Sequence, residues 1–235
     1  MTGLDDEDIR FIEQHLPHPH NCLERYHEAI DQRLIEHKDL CTLVIKEVET
    51  ALRAFKEDQP TQRFLYRVDS SNQTKSPHRI IQKICKEKDD HDLPIHTWET
   101  FTTTMKDIVR FRVVVNFLGD LDKVVAAIKE CSPIRSFFNV SENSTIHDPL
   151  KGRRSGERSV KLILEEKGNG IHIEIQIITM FQEAWDKKDH PLVYEKIRIG
   201  EEAPPQLKAL SLITSELLYT ADKYFEDFRK DEEES

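Results

Sequence analysis

The sequence predicts an α+β fold in which a mixed, mostly antiparallel sheet is flanked by helices at the N- and C-terminal ends. Three observations carry that expectation. Long segments near both ends place apolar residues at steps of three and four. The middle of the chain holds short runs rich in Val, Ile and Phe. The turn Lys167-Gly168-Asn169-Gly170 joins two of those runs as a hairpin.

Residues 23–56 read as the first helix, because Ile30, Leu34, Cys41, Val44, Val48, Leu52 and Phe55 recur at helical spacing with charges between them. Pro17-His18-Pro19-His20-Asn21 breaks any earlier helix, and residues 57–62, with Pro60, connect onward. Phe64-Leu65-Tyr66-Arg67-Val68 reads as a short strand and residues 69–75 as a polar loop. Pro77 suits the first turn of a helix running through Ile80-Ile81-Gln82-Lys83-Ile84. After a charged loop at 87–96, Ile108, Phe111, Val113, Val114 and Val115 mark a strand over 107–117. Leu121, Val124, Ala127 and Ile128 then mark a helix over 120–131. Further strands are expected at 136–140, 159–165 and 171–178, followed by a helix over 180–188. Pro204-Pro205 opens a final helix with Leu207, Leu210, Ile213, Leu217, Ala221 and Tyr224 on one stripe, and the acidic tail 231–235 is expected to fray. These elements divide the chain into an N-terminal helical region at 1–62, a central domain at 63–198, and a C-terminal helix and tail at 199–235.

The chain has 235 residues, 37% of them hydrophobic and 33% charged, enough to bury a sizeable core. No apolar run approaches the roughly 18 residues that span a bilayer. The acidic start Met1-Thr2-Gly3-Leu4-Asp5-Asp6-Glu7-Asp8 lacks the order of a signal peptide. A cytoplasmic location is therefore expected, with Cys22, Cys41, Cys85 and Cys131 as reduced, mostly buried thiols. A net charge of −10 argues against a broad nucleic-acid surface. Locally, Lys151, Arg153, Arg154, Arg158 and Lys161 fall within eleven residues, a basic spot suited to a small polyanion such as a nucleotide or to one end of an RNA.

Two carboxylates and two basic elements carry the chemistry. In Ile173-Glu174-Ile175-Gln176-Ile177, strand alternation puts Glu174 and Gln176 on one face and three isoleucines on the other. Asp107 begins the strand Asp107-Ile108-Val109-Arg110-Phe111-Arg112. Lys75, Arg79, Lys83 and Lys86 stack along one side of a loop and helix whose N-terminus itself attracts phosphate. Lys151 to Lys161, with Gly152 and Gly156 interleaved, is a basic loop able to close over phosphates. Carboxylates for magnesium and cations for phosphates are the parts of a phosphoryl-transfer site. Singly, each is matched by an ordinary solvated surface. His18, His20 and Cys22, or His91 and His96 after Cys85, lack the second cluster of a zinc site. No Walker A, GxGxxG or nucleophile-elbow motif is present.

Taken together, the lysine segment, Asp107-Ile108…Arg112, Glu174-Ile175-Gln176-Ile177…Thr179 and Trp185…Asp189-His190-Pro191-Leu192-Val193-Tyr194 resemble the RelA/SpoT synthetase family over about residues 64–196. The family's hydrolase domain has no room here, so the chain is similar to its small, synthetase-only members. The resemblance implies a nucleotidyltransferase-like sheet and transfer of the β,γ-pyrophosphate of ATP to the 3′-hydroxyl of an acceptor nucleotide. With GTP or GDP as acceptor the product is (p)ppGpp. It implies Mg²⁺ held by Asp107 and Glu174, with Glu174 also helping to deprotonate the 3′-hydroxyl. Lys75, Lys83 and Arg79 would serve ATP phosphates and Arg112 would pack on the adenine, while Arg67 or Gln73 takes the place of the arginine before the lysine. Lys151, Arg153, Arg154, Arg158, Lys161, Gln176 and Glu157 would serve the acceptor.

The acceptor half departs from the family pattern Gly-Tyr-x-Ser-x-His. It reads Gly156-Glu157-Arg158-Ser159-Val160-Lys161, with Glu157 for the tyrosine that stacks on guanine and Lys161 for the histidine. Arg79 replaces a serine and Ile178 an arginine. Two other readings therefore stand beside guanine-nucleotide synthesis: the same chemistry on an adenine nucleotide or a tRNA 3′ end, and a non-catalytic module binding a nucleotide or protein. The two long terminal helices are expected either to build a homo-oligomer or to pack within one core.

Overall fold

The computed structural model describes residues 23–58, 66–71, 73–75, 105–144, 156–194 and 203–233, together with Phe64, Ile80 and Lys196. The chain runs α1 (Leu23–Asp58), β1 (Tyr66–Asp69), β2 (Val109–Val115), α2 (Asp120–Glu130), α3 (Ser132–Phe137), β3 (Phe138–Ser144), β4 (Val160–Glu166), β5 (His172–Thr179), α4 (Met180–Asp189), a π-helical turn (His190–Tyr194) and α5 (Pro205–Glu233). The sheet order is β1-β2-β5-β4-β3. Only β2 with β5 is parallel; β1–β2, β5–β4 and β4–β3 are antiparallel. The expected α+β fold, with its mixed and mostly antiparallel sheet, is what the chain adopts.

Register divides the sheet into two unlike faces. Val68, Val113, Ile177 and Val160 line up across four strands, and Phe111, Ile175 and Leu162 across three; all are buried except Val68, which is half-buried. The α1 stripe Leu34, Cys41, Val44, Val48 and Leu52 joins Leu121, Val124 and Ile128 of α2 in the same core. Burying a side chain of this size contributes about 1.5–3 kcal/mol, so this face holds most of the fold. Burial pushes the Cys41 thiol up to about 12, which keeps it protonated and inert. The other face carries Arg110, Arg112, Glu174, Gln176 and Lys161.

The hairpin between β4 and β5 closes where expected. Glu166 N donates to Ile171 O at 2.9 Å, Gly170 N donates to Glu166 O at 3.0 Å, and Gly170 sits at φ +67°. Two local expectations are corrected. Residues 136 and 137 belong to α3 rather than to a strand, because Pro133 pre-sets the first turn of a helix and β3 begins only at Phe138. The strand expected over 107–117 is shorter, and Asp107 lies in a turn before it. Residues 73–75 pair there instead: Lys75 N donates to Ile108 O at 3.1 Å and Arg110 N to Gln73 O at 2.8 Å.

The last helix departs further. Leu210, Ile213, Leu217 and Tyr224 of the expected apolar stripe are exposed, and the buried residues are Ser215, Tyr219, Asp222, Glu226 and Arg229. Specific partners make that inversion tolerable. Arg229 donates to Asp120 Oδ1 at 2.7 Å and to Glu226 at 2.7 and 2.9 Å, while Glu226 accepts from Gly119 N at 3.0 Å. Lys123 also pairs with Asp120 at 3.1 Å, and the Arg229 guanidinium lies 4.6 Å from the Phe117 ring centre. A Cβ at Gly119 would stand 2.5 Å from Glu226 Oε1 and 2.9 Å from Arg229 Nη2, so a larger residue there would displace this pair. Breaking a buried pair leaves an uncompensated charge, typically costing about 3–5 kcal/mol. Arg229→Met is therefore expected to lose about 3–5 kcal/mol of stability in urea unfolding; a loss within experimental error would show that the pair does not anchor α5.

Candidate active site

The polar face owes its composition to strand alternation. Asp69, Arg112, Gln176 and Lys161 are direct cross-strand partners in one row, and Arg110, Glu174 and Ile163 form the next. Within the first row the side chains connect. Arg112 Nε donates to Gln176 Oε1 at 2.8 Å, and Gln176 Nε2 donates to Glu157 Oε1 at 3.2 Å. Lys161 Nζ stands 2.7 Å from the same Glu157 oxygen, and Arg112 Nη2 is fixed by Asp186 of α4 at 2.6 Å. In the second row, Glu174 is partly buried and, among the described residues, has no hydrogen bond or ion pair.

Asp107 and Lys75 come together at the end of the face where β2 starts. Lys75 Nζ is ion-paired with Asp107 Oδ2 and also donates to the Asp107 carbonyl at 3.1 Å. The short pairing of 73–75 with the start of β2 creates this contact. Asp107 lies three residues before Arg110, the cross-strand partner of Glu174 (110 − 107 = 3), so both carboxylates serve the same end of the parallel pair.

Arg67 is held away from the sheet centre. Its Nη2 donates to both oxygens of Glu183 at 2.6 and 2.7 Å, and Nη1 pairs with Asp69 at 3.2 Å. Burial pushes the Glu183 carboxyl up, but hydrogen bonds from Arg67 and Lys187 outweigh it and leave the group below its ordinary value. Ser71, through its hydroxyl and its backbone N–H, holds Asp69 down to about 2.

The structure does not bring Arg158 to this face. Its guanidinium is buried, paired with Glu216 of α5 and 4.5 Å from the Tyr219 ring centre. The local cause is Gly156: at φ +85° it packs against Leu212, Ser215 and Trp185, and its carbonyl accepts from Ser215 Oγ at 2.6 Å. That docking turns the next residues toward α5. Lys83, Arg79, Lys151, Arg153 and Arg154 lie outside the described residues. Sequence reasoning missed Arg110, Asp186 and Glu183, since each gains meaning only from a strand or helix distant in the chain. The recurrence of polar residues at alternate strand positions was the available signal for Arg110.

A family model described as the region found in RelA / SpoT proteins matches residues 72–198. The chain belongs to the RelA/SpoT family. No curated relative matches it. Among solved structures, it resembles small alarmone synthetase 1 from Bacillus subtilis bound to its product pppGpp, with TM-score 0.62 and 20% identity, covering 87% of this chain and 98% of the other. The same synthetase bound to AMPCPP gives TM-score 0.57 and 18% identity over 88% and 100%. A GTP pyrophosphokinase family protein from Streptococcus pneumoniae gives 0.58 and 23% over 85% and 96%. At these identities the structural likeness establishes the fold. Among the described residues no helix is long and apolar enough to cross a membrane.

In this RelA/SpoT fold the helix that orients the arginines is itself capped. Thr179 accepts from Gln182 N at 3.3 Å as the N-cap of α4 and donates to buried Asp222 of α5 at 2.5 Å. Burial pushes the Asp222 carboxyl up to about 6, against the lowering effect of Thr179 and Gln182. A raised folded-state value means the folded protein binds this proton more tightly than the unfolded chain. The group's contribution to stability is full below about pH 4 and declines as pH rises through about 6. Asp222→Asn, which keeps an acceptor for Thr179, is expected to raise thermal stability at about pH 8 by up to about 3 kcal/mol and to change little at about pH 4. Equal effects at both pH values would contradict this.

Proposed function

We propose that this protein is an ATP-dependent pyrophosphokinase of the cytoplasm that transfers the β,γ-pyrophosphate of ATP to the 3′-hydroxyl of an acceptor nucleotide, GTP or GDP, giving (p)ppGpp. The observation that carries this reading is Glu174, a carboxylate without a partner among the described residues, beside Arg110 and Gln176, whereas Asp69, Asp107 and Glu157 nearby are each held by a cation. Membership of the RelA/SpoT family supports it, as do structural neighbours bound to pppGpp and to AMPCPP.

Glu174 accepts the proton of the 3′-hydroxyl as that oxygen forms its bond to the β-phosphorus. The bond from the β-phosphorus to the oxygen shared with the α-phosphate breaks, and the electron pair leaves with AMP. Arg110 offsets charge on the phosphates, and Arg112 packs on the adenine, its plane kept because Gln176 and Asp186 hold two of its nitrogens. Lys75, paired with Asp107, brings its ammonium beside that carboxylate and serves ATP phosphate.

Asp107 and Glu174 fit magnesium by donor chemistry. Mg²⁺ is bound by one or two carboxylates, with waters and substrate phosphates completing its shell, and Asp107 already holds a cationic group, the Lys75 ammonium. When bound, the ion would neutralise phosphate charge and hold the pyrophosphoryl group in line.

Incubation with γ-labelled ATP, Mg²⁺ and each nucleotide in turn is expected to label a 3′-pyrophosphorylated product. Absence of label with every acceptor would overturn the proposal. Glu174→Gln, folded as the parent by circular dichroism, is expected to lower the transfer rate by at least about 100-fold.

A further inference from the structure

Glu157 sits in the extended segment that leads into β4, and three donors converge on its Oε1. Lys161 Nζ is at 2.7 Å, Gln176 Nε2 at 3.2 Å and Ser159 Oγ at 3.3 Å. Gln176 is oriented by its other end: its oxygen accepts from Arg112 Nε at 2.8 Å, so the amide nitrogen faces Glu157. Arg112 is in turn held by Asp186 at 2.6 Å. The carboxylate thus ends a chain of contacts anchored on β2, β5, β4 and α4. Such preorganisation is what a recognition group needs, because little ordering remains for the ligand to induce.

The position is equally defined. Glu157 reaches the row of Gln176 and Lys161, and Glu174 lies two residues earlier on β5. Two residues along a strand and one strand across span about 8 Å on the pleated sheet. That matches the reach of a nucleoside from its 3′ oxygen to the outer edge of its base. A carboxylate there repels phosphate, so the part of the acceptor it meets must offer hydrogen-bond donors. The outer edge of a 2-amino-6-oxopurine presents two adjacent N–H groups. A 6-aminopurine instead places a nitrogen lone pair beside its single amino group, which sets one acceptor against another.

We propose that Glu157 determines acceptor specificity by accepting N–H hydrogen bonds from the base edge, selecting a guanine-type base over an adenine-type one. The inference rests on the pyrophosphokinase reading for the location of the 3′-hydroxyl at Glu174. It assigns to Glu157 a hydrogen-bonding role that stacking cannot supply, since a carboxylate has no aromatic face. Sites built to hydrogen-bond a substrate N–H discriminate strongly against the analogue lacking it.

Inosine 5′-diphosphate lacks only the 2-amino group of guanosine 5′-diphosphate, and adenosine 5′-diphosphate reverses the edge pattern. The test measures dissociation constants by calorimetry and kcat/KM for transfer with all three, for the parent and for Glu157→Gln of matched thermal stability. The parent is expected to favour guanosine over inosine by about tenfold or more, and adenosine is expected to be poorest. Glu157→Gln is expected to remove most of the guanosine-over-inosine preference. An unchanged preference in the variant, or a parent that takes adenosine diphosphate as well as guanosine diphosphate, would overturn the proposal. If no acceptor is turned over while the Glu157-dependent binding preference persists, the pyrophosphokinase reading fails and the base-reading role stands.

Discussion

The parallel register of β2 with β5 is the constraint on which the rest of the site depends. It sets Arg110 opposite Glu174 and Arg112 opposite Gln176, and the antiparallel register of β4 adds Lys161 to the row of Arg112 and Gln176. A slip of one residue would send these side chains into the core and bring isoleucines and valines to the surface. The buried rows of Val, Ile and Phe prevent that slip. Hydrophobic packing on one face thus fixes the electrostatics of the other. Most polar side chains described there are already paired, so little reorganisation is left for substrate to induce. Among the described residues Glu174 has no such partner, and the proposed reaction gives it a chemical task.

The second support comes from the C-terminal helix. Among the described residues, polar contacts tie α5 to the body at four places: Arg229 and Glu226 at the β2–α2 loop, Asp222 at the N-cap of α4, Ser215 and Glu216 at the segment entering β4, and Ser211 at Asp189. Three of them act on elements that shape the site. Asp222 and Ser211 hold the helix that supplies Glu183 and Asp186, and Ser215 fixes the segment that carries Glu157. Directional bonds of this kind position a helix more narrowly than an apolar stripe does, since each has one satisfying geometry.

Much of this was legible in the sequence, for physical reasons that also explain what was not. Period-two alternation placed Glu174 and Gln176 together because it is local to one strand. The turn around Gly170 announced its hairpin through residues that tolerate its backbone. The pairing of Lys75 with Asp107 is a tertiary fact, made by a short strand contact that neither segment encodes alone. Arg158 was grouped with the basic loop on composition, but Gly156 docks on α5 and buries it against Glu216 and Tyr219. The period of α5 was readable and its inward face was not. Apolar patterning assumes that charges face water, whereas Asp120, Glu226 and Arg229 pair with one another inside. The departure at Glu157 was visible as a broken family pattern, and its three donors give it a definite environment.

In the proposed reaction Glu174 activates a nucleophile that attacks the β-phosphorus rather than the γ-phosphorus of ATP. Following adenine-labelled ATP through a single turnover with guanosine 5′-diphosphate tests this directly. The account predicts that AMP appears in step with the acceptor product, one for one, and that Glu174→Gln suppresses both together. Formation of ADP with the acceptor product, or AMP release unaffected by Glu174→Gln, would contradict it.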